Sequence, residues 1–132
     1  MTVKCIRKNK IGTEEKHITV GKTYLVLEII FPNTQKLKCS YRIIDNSGIP
    51  CIYPTECFEI QSNRLDYMVI TESPSSIIIT HKLITTAFCE NINGFWADFF
   101  ETTNIEMLSL VKKIVEDLNG CEKLDIPDIS AV

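Results

Sequence analysis

One run constrains this chain more than any other: Ile18-Thr19-Val20-Gly21-Lys22-Thr23-Tyr24-Leu25-Val26-Leu27-Glu28-Ile29-Ile30. β-Branched and aromatic residues dominate it, and such side chains favour a pleated strand over a helix. Proline cannot continue a ladder and asparagine tolerates turn dihedrals, so Phe31-Pro32-Asn33-Thr34-Gln35 reads as a turn. Residues 37–44 are the next strand. The turn Asp45-Asn46-Ser47-Gly48 then sends 49–53 back as the second arm of a hairpin. Pro54-Thr55-Glu56 interrupts the chain before 57–60 resumes it, and 2–7 supplies a short strand ahead of a polar loop over 8–16.

Two further β-like runs, 67–71 and 77–85, flank Glu72-Ser73-Pro74-Ser75-Ser76 and are expected to pair across it. Residues 91–94 form another break. Phe95-Trp96-Ala97-Asp98-Phe99-Phe100-Glu101 suits either a short helix or a strand. The last element is helical over about 104–119. Thr103 and Glu106 have capping-box spacing, and Met107, Leu108, Val111, Ile114, Val115 and Leu118 recur as one apolar stripe. Asn119-Gly120 supplies the stop, and 121–132 reads as an acidic tail. The expected class is α+β: a small barrel over about 2–60, additional strands and helices over about 66–120, and one domain in 132 residues.

Residues 18–60 resemble an SH3-type small β-barrel. The likeness rests on the glycine-containing entry at Gly21, the long strand after it, and the hairpin through residues 45–48. It also includes the turn Tyr53-Pro54-Thr55-Glu56 before Cys57-Phe58-Glu59. The family's proline-rich ligands lie on exposed aromatics. Here Cys57 stands where a tyrosine is usual and the hairpin has no exposed tryptophan, so that activity is not carried over. With its Lys4-Cys5 opening and its Tyr-Pro turn ending in Phe-Glu, the chain also resembles small accessory proteins of bacteria and phages. Toxin-neutralising immunity proteins are among these.

Charge is unevenly spread. Residues 1–22 carry Lys4, Arg7, Lys8, Lys10, Lys16 and Lys22 against Glu14 and Glu15, whereas residues 90–132 carry nine acids against Lys112, Lys113 and Lys123. The six cysteines, at 5, 39, 51, 57, 89 and 121, lack zinc-knuckle or redox spacing, and no apolar signal region follows Met1. Reduced thiols in a cytoplasmic protein are the expectation. No apolar run approaches the roughly 18 residues of a membrane span.

Signals for chemistry are sparse. His17 and His81 lie in separate segments, and a Cys57 or Cys89 pairing with His81 has no local signature. Asp98 and Glu101 share a face only if 95–101 is helical, and no phosphate-cradling glycine loop occurs. The expectation is a binding protein and not an enzyme, with no cofactor and no metal. Its function would be to inhibit a basic toxin domain by steric and electrostatic occlusion. Glu90, Trp96, Asp98, Glu101, Glu116 and Asp117 are the candidate partner-binding residues, with Trp96 placed either in the core or as an exposed anchor. The alternative is a nucleic-acid-binding accessory protein using Lys4, Arg7, Lys8 and Lys10.

Overall fold

The computed structural model describes residues 1–8, 17–33, 38–72, 76–84, 94–101 and 105–132. Among these residues seven strands are present: β1 (Thr2–Cys5), β2 (Thr23–Pro32), β3 (Ser40–Ile44), β4 (Pro50–Pro54), β5 (Phe58–Ser62), β6 (Met68–Glu72) and β7 (Ser76–His81). After them come the helices α1 (Phe95–Glu101) and α2 (Ile105–Asn119). The α+β class is therefore present, and the ambiguous 95–101 segment is a helix. Val20 and Gly21 form a turn, so the long strand begins later than its sequence signal. The last sequence run is a strand only to His81, and Lys82, Leu83 and Ile84 are helical. Thr103 of the expected capping box lies outside the described residues.

All pairings are antiparallel, and β2 is the shared element. Its first residues pair with β1, its middle with β3 and its last residues with β7, while β6 pairs with β7 as expected. The path β4-β3-β2-β1-β5 is open, with no β4–β5 pairing among the described residues. Pro54, which lacks an amide donor, ends β4. A single tight helical turn, Thr55–Cys57, then carries the chain to β5, which pairs with β1 instead.

Two apolar cores lie on opposite faces of β2. Tyr24, Val26 and Ile29 join Val3, Cys5, Tyr41, Ile43, Tyr53 and Phe58 in the first. Leu25 and Leu27 join Ile44, Phe95, Trp96, Phe99, Val111 and Ile114 in the second, under the helices. The strand alternates, but both faces are covered, so it reads as one continuous hydrophobic run. Its register against β3 slips between Val26 and Glu28. That bulge lets consecutive residues, Leu27 and Glu28, both serve the helical side.

Residues 121–132 are not a loose tail. Residues 121–126 alternate between exposed and half-buried, and Leu124, Ile126, Ile129 and Ala131 pack against the second core. Two of its three acids, Asp125 and Asp128, occupy exposed positions, while Glu122 is half-buried.

Candidate functional site

A buried carboxylate, Glu28, joins β2 to β3, β7 and α1. Its Oε2 accepts from Trp96 Nε1 at 2.9 Å and Thr80 Oγ1 at 3.0 Å, and its Oε1 accepts from Arg42 Nε at 3.3 Å. Arg42 Nη1 donates to the Pro50 carbonyl at 2.9 Å, and its guanidinium lies 4.4 Å from the Trp96 ring centroid. Burial pulls the Arg42 guanidinium below its ordinary range, and Glu28 pulls the other way. Trp96 is only 8% exposed. The reading of Trp96 as an exposed anchor is therefore corrected. An indole N–H taken out of water needs an acceptor, and Glu28 supplies it.

His81 is fully buried, and both ring nitrogens are engaged. The Leu83 amide donates to Nδ1 at 3.1 Å, which leaves Nε2 to carry the proton and donate to Asp117 Oδ2 at 3.1 Å. The Tyr67 ring stacks on the imidazole at 5.7 Å. Burial lowers the His81 pKa most strongly, against the pull of Asp117 and with the push of Lys82 and Lys113. A ring held on both sides in this way has no lone pair to offer a thiol. Cys57 in turn is buried in the first core, and Cys89 lies outside the described residues. The five described cysteines are free thiols. Among the described residues, no group of three acid, histidine or cysteine side chains is placed to hold a metal.

The other candidate residues separate. Glu90 lies outside the described residues. Asp117 is half-buried and turned inward to His81, with Lys113 Nζ 3.8 Å from its other oxygen. Glu116 is exposed, but Lys112 and Lys113 flank it on the outer face of α2, which is mixed in sign. Asp98 and Glu101 do sit together on α1, half-buried and exposed respectively.

Around them lies a feature that sequence reasoning missed. Phe100 at the end of α1 is 38% exposed, and Ile105 at the start of α2 is 78% exposed. Glu101 and Glu106, both exposed, stand beside them. The signal was available: Ile105 falls off the stripe formed by Leu108, Val111 and Val115.

A cleft of about 490 Å³ opens elsewhere, with Met1, Arg64, Tyr67, Cys121 and Glu122 on its walls. Its charges are paired internally: Arg64 with Asp66 at 3.0 Å, and the Met1 amine with Glu122 at 3.8 Å. No family model, curated protein or solved structure matches the chain. Among the described residues no helix is long and apolar enough to cross a membrane. Of the basic stretch, Arg7 and Lys8 are exposed and Lys4 is half-buried, while Lys10 lies outside the described residues.

Proposed function

We propose that this chain is a protein-binding inhibitor of the immunity type, which neutralises a basic toxin domain in the cytoplasm by covering it. The observation that carries this reading is the exposure of Phe100 at the end of α1 and Ile105 at the start of α2, each next in sequence to an exposed acid, Glu101 and Glu106. Apolar anchors with a charged rim are what a protein interface uses. The anchors supply desolvated area, and the rim supplies steering and register. The acids select a basic partner, and occlusion of that partner asks no chemistry of this chain. The free thiols fit a reducing compartment.

The same proposal takes β1 to β5 as an SH3-like barrel serving as scaffold. Three features support it: the strand order, the division of β2 between two sheets, and the single helical turn between β4 and β5.

The test measures association and dissociation with any basic toxin domain found encoded beside this gene. Glu101→Lys with Glu106→Lys should leave the fold intact and slow association, and wild-type association should slow as salt rises. Ile105→Asp should speed dissociation. Reversing Lys4, Arg7, Lys8 and Lys10 should change little. Loss of binding in that basic variant, with the acidic one unaffected, would make the partner acidic and defeat the proposal.

A further inference from the structure

After a turn through residues 120–122, the chain crosses the second core as a strap belonging to neither helix nor strand. Its root is held tightly. Asn119 Nδ2 donates to the Leu124 carbonyl and Asn119 Oδ1 accepts from the Leu124 amide, both at 2.9 Å, so one side-chain amide imitates a strand partner. Glu122 accepts from Ser62 Oγ at 2.7 Å. At the far end the Ser130 amide donates to the Gly48 carbonyl at 3.0 Å. Here the strap backbone presses on the hairpin turn. A Cβ at Gly48 would strike the Asp128 carbonyl, with Pro127 alongside.

The seat beneath is rigid and already satisfied. Asp45 Oδ1 accepts from the Ser47 amide, the Ser47 hydroxyl and the Ile49 amide, and Tyr53 OH donates to Oδ2 at 3.0 Å. The strap is the softer partner. Leu124, Ile126, Ile129 and Ala131 are only half-buried, whereas Val111 and Ile114 below are fully buried. At its root, Lys123 takes a left-handed φ of 55° next to the helix end, a place where few residues settle without cost. A rigid seat and a half-buried occupant describe a peptide site filled from within the chain.

We infer that the surface from α2 to the 45–48 turn is a peptide-binding groove, occupied in cis by residues 124–131 and able to take the same kind of segment in trans. The ligand class is an extended, aliphatic-rich peptide that presents side chains inward as Leu124, Ile126, Ile129 and Ala131 do. It places one amide on the Gly48 carbonyl, and backbone without bulk against Gly48. This is peptide recognition by alternate side chains with main-chain anchoring. The tethered copy competes at high effective concentration, so the groove is masked in the resting protein.

The test uses the full chain and a fluorescent synthetic peptide of residues 121–132, read by anisotropy. Ile126→Asp with Ile129→Asp weakens the resident strap and leaves the groove untouched. That variant should bind the peptide at least about tenfold more tightly than wild type does. Adding Gly48→Ala should abolish the gain. Adding Gly21→Ala should not, because Gly21 also has a positive φ but nothing within 4 Å of an added Cβ. A folded strap variant with no gain in peptide binding overturns the inference. Should the strap variant not fold, hydrogen exchange on wild type decides the question. The Leu124 and Ser130 amides should exchange at least about tenfold faster than those of Val111 and Val115, and equal protection overturns the inference.

Discussion

Glu28 holds a carboxylate in the interior with both oxygens engaged, and its removal strands donors on β3, β7 and α1 together. Breaking a buried pair by deleting one partner costs more than the pair contributes, because the survivor stays buried and uncompensated. Glu28→Ala should therefore lose about 3–5 kcal/mol in urea unfolding, and a loss below about 1 kcal/mol would show that the network relaxes or hydrates. His81 makes stability depend on pH on the acid side. An unfolded histidine titrates near 6.5, and burial holds the native one lower. Between those two values the unfolded chain binds more protons. Stability should thus be full above about pH 6.5 and fall as the pH drops through that value toward the native one. Asp117→Asn removes the opposing pull and should deepen the fall. The His81 ring resonances give the check, since a midpoint above about 6.5 would reverse the sign. None of these pairings was legible in the sequence, because 68 positions separate Glu28 from Trp96 and 36 separate His81 from Asp117.

Elements were more legible, for a local reason. The stripe of α2 repeats every three or four residues, and four of its members, Val111, Ile114, Val115 and Leu118, are the ones the structure buries. Val111→Asp should unfold the protein or lower its thermal midpoint sharply, by placing an unpaired charge where Val111 has no exposure. Ile105→Asp on the same helix should leave the midpoint nearly unchanged, because Ile105 already faces water. The strands announced themselves through β-branched runs and turn residues, yet the bulge in β2 and the open edge beyond β4 did not. A bulge is set by what two strands must each cover, and neither strand alone records that demand. The strap was misread for the opposite reason: its inward aliphatics are spaced too sparsely to outweigh its acids.

At the scale of the molecule, charge asymmetry along the sequence did not become a uniform acidic face. Lys112 and Lys113 interrupt it on α2, and Asp117 turns inward, while Glu101 and Glu106 stay exposed, each next in sequence to an exposed apolar residue. The placement of β2 has a different consequence. With Tyr24, Val26 and Ile29 in one core and Leu25 and Leu27 in the other, neither half can lose its packing while the other keeps a formed strand. Heating should therefore give a single calorimetric transition whose van't Hoff and measured enthalpies agree. Tyrosine fluorescence from the side of the first core and Trp96 fluorescence from the helical side should report the same midpoint. Two separated midpoints would mean that the halves melt as independent units, with β2 failing to couple them.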